Sequence, residues 1–403
     1  MAITNEQQFF LSLISDHLHC RKTDVPGGLD WITICSYAKT HQVQGIVFKQ
    51  CKDGLAPSSQ VYTELNSAFY QTVAANGKRL SLFKTVVNAF REQQITFIPV
   101  KGHALTQYYP IPQLRTMGDI DIVLSTYDRE KAHEVLLQLG FQNTVHEDAE
   151  WEYRKAGVEI ELHNQLEYEL LAEHRDFFND HMSHVQTTGD ELALTPDFHL
   201  MYLILHLRKH LMNFGVGFRQ FMDIIVLTQA NLDIINWMDF AQKLKELKLL
   251  DFARTCFCFC ERWFGFSSPL EPIEISDAFC ETATETVFEN GVFGFNNSDN
   301  IDVKINHLAK YKADHADNQK SLSWSRIREI VFPSYQTMCV ADHYSFLRGR
   351  KWLLPIAWIY RLYRGITLRK MKSVGVAVQE AKTLRDSDDE ISKRTAWLKE
   401  WKV

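Results

Sequence analysis

The chain has 403 residues, of which 45% are hydrophobic and 23% charged, with a formal net charge of -6. That composition excludes a disordered, collagenous or small disulfide-stapled protein, and the length predicts two or three domains. A net negative charge also argues against a dedicated nonspecific nucleic-acid binder, although local basic stretches remain.

The N-terminal sequence lacks a basic region followed by an apolar run and a small-residue cleavage site, so no signal peptide is expected. The longest apolar stretch, WLLPIAWIYRLY, carries Pro355 and Arg361 and is too short to span a bilayer. The eight cysteines form no CxxC pair and read as free thiols of a cytoplasmic protein.

Residues 1–93 read as a helical region. Phe9, Phe10, Leu13, Ile14 and Leu18 recur at near-helical spacing, and Leu82, Val86, Val87 and Phe90 predict a helix ending near Gln93. Pro26-Gly27-Gly28 breaks the pattern. Residues 94–195 change character. ITFIPV (95–100) and DIDIVL (119–124) read as strands, Ser125 and Asp128 open a helix that Gly140 stops, and 151–157 and 158–163 read as two further strands. A helix is expected after Lys101-Gly102, giving the order β, α, β, α, β, β. From Pro196 the chain turns helical again. It is divided here into a C-terminal helical domain (196–330) and a basic-aromatic segment with a terminal helix (331–403). GVFGFNNSDNID (291–302) reads as a turn region. The expected fold is α+β, a mixed sheet flanked by helical regions.

In a strand, residues i and i+2 share a face. Asp119 and Asp121 therefore share one face of DIDIVL, and Glu159, Glu161 and His163 share one face of VEIELH. If the strands are neighbours, a third carboxylate approaches the first two. Converging carboxylates repel unless a cation neutralises them, and hard oxygen ligands select Mg²⁺ or Mn²⁺.

Lys101-Gly102, Tyr108-Tyr109-Pro110, Arg115-Thr116-Met117-Gly118-Asp119-Ile120-Asp121 and Glu161-Leu162-His163 together resemble the uncharacterised nucleotidyltransferase family, part of the DNA polymerase beta superfamily. His206 to His210 and Phe218-Arg219-Gln220-Phe221-Met222-Asp223 resemble the family's helical continuation. The resemblance covers roughly 30–250. It implies a metal-dependent transfer of a nucleoside monophosphate from an NTP, releasing pyrophosphate. Asp119, Asp121 and Glu161 would be the catalytic metal ligands, and Lys101, Gly102, His103 and Arg115 would bind the nucleotide. His103 stands where most of the superfamily has serine, which favours an alternative: an inactive nucleotide-binding or interaction module on the same scaffold. The acceptor, whether small molecule, protein or RNA, is left open.

Several residues keep two readings. Lys101 binds phosphate or covers core with its stem. Arg115 clamps phosphate or pairs with Asp119. His163 reads as an orienting or packing histidine. His206 and His210 have zinc-site spacing but lack a third ligand and read as structural. Cys256, Cys258 and Cys260 read as soft core. Residues 348–372 hold eight basic residues and no acid around Trp352, Trp358, Tyr360 and Tyr363. They fit a membrane-surface helix, a contact with RNA or another polyanion, or a helix packed on the acidic remainder.

Overall fold

In the computed structural model, the described residues are 3–56, 58–146, 150–166, 172–188, 191–213, 215–291, 305, 308–309, 312, 332–339, 342–347, 349–367 and 388–403. They fall into two compact units, 1–296 and 297–403. Most of the turn region at 291–302 lies outside the described residues, as do Arg348, Arg369, Lys370 and Lys372.

The first unit opens with α1 (Asn5–Leu18), α2 (Trp31–Thr40), α3 (Gln44–Cys51) and α4 (Gln60–Glu92). Local signals set the helix starts. Thr4 and Gln7 form a reciprocal capping box on α1, and the Asp30 and Ser59 side chains cap α2 and α4. α4 spans 33 residues, and its last three turns bury Phe83, Val86, Val87 and Phe90.

Five strands follow: β1 (Phe97–Pro99), β2 (Asp119–Leu124), β3 (Gln142–His146), β4 (Glu150–Lys155) and β5 (Val158–His163). The short helix α5 (Lys101–Leu105) follows β1, and α6 (Thr126–Gln138) follows β2. Ser125 caps α6, and Gly140, at φ +80°, ends it. The spatial order is β1-β2-β5-β4-β3. β2 and β5 are parallel, and the other pairings are antiparallel. The fold is thus the expected mixed α+β sheet with helices.

Strand alternation sorts the sheet's two faces. Ile120, Ile122 and Leu124 of β2 and Val158, Ile160 and Leu162 of β5 join the α4 phenylalanines and Ala132, Val135 and Leu136 of α6 in one buried cluster. The other face carries the charged residues. Two features differ from the sequence reading. β3 was not anticipated, because QNTVH is an edge strand with an exposed–intermediate alternation and little apolar signal. A second hairpin, β6 (Val185–Thr188) with β7 (Glu191–Leu194), also lies beyond the expected strands.

Four helices complete the part of this unit used below: α7 (Ala172–Asn179), α8 (Pro196–Asn213), α9 (Phe218–Ala230) and, further along, α10 (Trp237–Glu246). Cys256 and Cys260 are buried in the helix Leu250–Phe264, and all eight cysteines are free thiols. In the second unit, one cluster joins Ile391 and Leu398 of the terminal helix Asp388–Glu400 to Ile305, Leu308 and Ala309. Another gathers Met338, Tyr344, Leu347 and Ala357. Among the described residues no helix is long and apolar enough to cross a membrane.

Three buried histidines give the fold an acid-sensitive limb. Burial lowers His17 to about 4, His41 to about 3 and His199 to about 4. His41 packs against Phe10, Phe218 and Phe288. A histidine whose folded pKa lies below its unfolded value near 6.5 resists protonation only when folded. Stability is therefore full above about pH 6.5 and falls as the pH drops toward 4. Each histidine should cost about 2 kcal/mol at pH 5. We expect urea midpoints to fall steeply between pH 7 and pH 5, with His41→Phe flattening part of that fall. A wild-type midpoint constant over the range would contradict this.

Candidate active site

The polar face of the sheet is unusually acidic. The β2–β5 register sets Asp119 opposite Glu159 and Asp121 opposite Glu161. The β4–β5 register adds Glu152 opposite Glu161 and Glu150 opposite His163. Six carboxylates thus share one face of three adjacent strands. Arg154 takes Glu159, at 2.9 Å. That leaves Glu161 as the β5 carboxylate facing Asp121.

Asp121 is the buried centre, with its side chain 4% exposed. Lys101 Nζ donates to Asp121 Oδ1 at 2.6 Å, and His163 Nε2 lies 3.1 Å from the same oxygen. His163 Nε2 is also 3.3 Å from Glu161 Oε2. Burial opposes ionisation of Asp121, but the Lys101 charge and the His163 hydrogen bond outweigh it and hold the carboxyl well below its ordinary range. Burial and the neighbouring carboxylates have the opposite result at Glu161, which is pushed up to about 7. Asp119 is likewise raised, by burial and then by the Asp121 charge. Burial works against the charged forms of Lys101 and His163, yet their carboxylate partners prevail and both pKa values are raised.

The ligand atoms of Asp121, Glu161 and His163 lie within 4.8 Å of one another, a group able to hold a metal ion. Lys101 supplies a cation that partly offsets these acids. Two carboxylates and an imidazole, with Asp119 two residues away on the same face, fit a divalent cation. Among the described residues Asp119 is not one of that closest trio.

Lys101 adopts φ +50°, a left-handed conformation uncommon for a residue with a side chain. Strain of this kind persists where surrounding contacts fix it, and here the Lys101–Asp121 pair is such a contact. Gly102 is explained by packing. A Cβ there would lie 2.5 Å from Arg115 Nη1. Arg115 passes this glycine to reach Asp223 of α9, donating from Nε at 2.9 Å and Nη2 at 2.7 Å. The acid partner of Arg115 is therefore Asp223, rather than the Asp119 considered from sequence. Tyr109 donates to the same carboxylate at 2.6 Å, and Asn76 of α4 holds the Arg115 carbonyl at 2.9 Å. His103 packs against Phe83 with ring centroids 4.0 Å apart, and burial lowers its pKa to about 4. It is a neutral ring at pH 7.

A cavity of about 430 Å³ opens between this face and the helices α8 and α9. Lys101, Gly102, Asp119 and Asp121 form one wall, and His206, His210 and Arg219 stand on the other. The two histidine Nε2 atoms are 2.9 Å apart. Arg219 donates to the Thr116 carbonyl at 3.1 Å and approaches Gln42 Oε1 at 3.4 Å. Among the described residues it has no carboxylate within ion-pair distance. Burial and the Arg115 charge lower it to about 10, so it remains a cation at neutral pH. Arg219 and Asp223 sit within the FRQFMD motif, but no local pattern assigns them to this site.

The uncharacterised nucleotidyltransferase family matches residues 27–265, more than half of the chain. The chain belongs to this family. No curated protein and no solved structure matches it. The residues of the acidic face and of the cavity, from Lys101 to Asp223, lie within the matched span.

Proposed function

We propose that this nucleotidyltransferase transfers a nucleoside monophosphate from an NTP to an acceptor hydroxyl, with Asp119, Asp121 and Glu161 as its metal-binding carboxylates. The observation that carries this reading is the parallel β2–β5 register, which sets Asp121 beside Glu161 next to a cavity whose opposite wall holds Arg219. When bound there, Mg²⁺ or Mn²⁺ would activate the attacking hydroxyl and stabilise the leaving pyrophosphate oxygen. The chain's own residues divide the remaining tasks. Asp121, held ionised by Lys101 and His163, offers a fixed negative charge. Glu161 completes the carboxylate set and orients or activates the acceptor hydroxyl. The acceptor oxygen bonds to the α-phosphorus, the bond from that phosphorus to the bridging β-phosphate oxygen breaks, and pyrophosphate leaves.

Of the residues expected to bind nucleotide, Arg115 is committed to Asp223 and Lys101 to Asp121. Arg219 is the better placed cation for the phosphate tail, because its described partners are neutral oxygens. We expect Arg219→Gln to raise the NTP Kd about tenfold, as for loss of one charge-assisted hydrogen bond, and Arg219→Lys to recover part of it. Calorimetric titration reads both. An unchanged Kd for Arg219→Gln would remove Arg219 from the site.

A second reading is favoured by one contact. Lys101 Nζ at 2.6 Å from Asp121 Oδ1 is a complete ion pair, as a binding or interaction module without turnover would keep. Labelling separates the two. Incubation with NTP labelled at the α- or the γ-phosphorus, offering small hydroxyl compounds, protein or RNA, should leave the α-label on the acceptor. Acceptors that stay unlabelled while the protein binds NTP would favour the module without turnover, and acceptors carrying the γ-label would overturn nucleotidyl transfer in favour of phosphoryl transfer.

A further inference from the structure

The helix Leu354–Thr367 of the second unit presents its apolar side outward. Ile356, Ile359 and Tyr363 are 53%, 68% and 63% exposed, and Trp352, one turn before, is 74% exposed. With Tyr360 these positions fall within an arc of about 100° at 100° per residue. The opposite side is already used. Ala357 is fully buried in the cluster with Met338, Tyr344 and Leu347, and Trp358 Nε1 donates to the Pro333 carbonyl at 2.8 Å. Tyr360 sets its ring against Tyr344 and Phe346 at the edge of that cluster, whereas Ile356 and Ile359 face solvent at a cost unless something apolar covers them.

The charge of the sequence that flanks the stripe points to what covers it. No acidic residue occurs between Asp342 and Glu380, while that stretch holds eight Lys and Arg in a chain of net charge -6. Arg350 and Lys351 are exposed beside Trp352. A surface that is apolar at the level of the side chains and anionic just outside it matches both features. Nucleic acid would stack on Trp352 and Tyr363 but offers no apolar layer for two exposed isoleucines. We propose that this helix lies flat on an anionic lipid membrane, with Trp352, Ile356, Ile359 and Tyr363 at the boundary between headgroups and acyl chains and Arg350 and Lys351 against lipid phosphates. The helix spans 14 residues and includes Arg361, so it rests on the bilayer and does not cross it.

The test is co-sedimentation of the full chain with vesicles of phosphatidylserine and phosphatidylcholine, or of phosphatidylcholine alone. Wild type should partition at least about tenfold more strongly onto the anionic vesicles, and high salt should weaken it. Ile356→Gln with Ile359→Gln should lose about tenfold or more on anionic vesicles at an unchanged melting temperature, both side chains being exposed. Arg350→Gln with Lys351→Gln should lessen the preference for anionic lipid. Equal sedimentation of wild type and the isoleucine variant overturns the proposal, as does no sedimentation of either. So does lipid-free dimerisation abolished by the isoleucine variant, which would make the stripe an interface between two copies. Binding of a single-stranded RNA oligonucleotide lost in that variant would assign the surface to RNA and overturn it equally.

Discussion

Asp121→Asn should abolish metal-dependent turnover while the protein stays folded. The substitution keeps the side chain's size but removes the charge at the centre of the carboxylate group. A neutral amide oxygen is a much weaker partner for a divalent cation, so Mn²⁺ affinity should fall roughly 100-fold or more, and activity with it. The fold has reason to survive. Lys101 still feels Glu161, and the Ile120, Ile122 and Leu124 side of β2 is untouched. Mn²⁺ titration and pyrophosphate release, read beside the melting temperature, give the result. Retained Mn²⁺ affinity would mean that the ion is held elsewhere, and a collapse in melting temperature would mean that Asp121 is chiefly structural.

The second large effect is on stability, at Asp223. Its carboxylate accepts from Arg115 Nε and Nη2 and from Tyr109 Oη, and the Arg115 side chain is only 6% exposed. Asp223→Ala leaves that guanidinium buried without its counter-charge, which should cost about 3–5 kcal/mol. Replacing both partners with apolar side chains, Arg115→Met with Asp223→Leu, should be less destabilising than Asp223→Ala alone, because no buried charge is then left. Urea unfolding of the three proteins measures this. A loss below 1 kcal/mol for Asp223→Ala, or a double variant worse than the single, would contradict the reading of this pair as a buried, mutually dependent unit.

What could be read from the sequence follows from the range of each signal. The alternation in DIDIVL and VEIELH is local, so the strands, their buried faces and the shared parity of Asp119, Asp121 and Glu161 were all visible. Which strands were neighbours was not visible, and the parallel β2–β5 pairing is what turns shared parity into proximity. QNTVH gives little strand signal because an edge strand needs few apolar residues. The β6–β7 hairpin did carry a signal, a Gly189-Asp190 step between two short runs, that could have marked it. Arg115 and Asp223 lie 108 positions apart, and Arg219 reaches Thr116 across 103. No periodicity reports contacts of that range. His163 was read as an orienting histidine, and its ring does hold Asp121, but its place among the possible metal donors comes from the fold.

Calorimetric titration of an NTP into wild type and Asp121→Asn, each with and without Mg²⁺, tests the central claim most directly. Carboxylates offset the divalent charge and the cation offsets the triphosphate, so the two should bind together. The account predicts tight NTP binding by wild type only when Mg²⁺ is present, and loss of that Mg²⁺-dependent part in Asp121→Asn. Equal, metal-independent NTP binding by both proteins would contradict it.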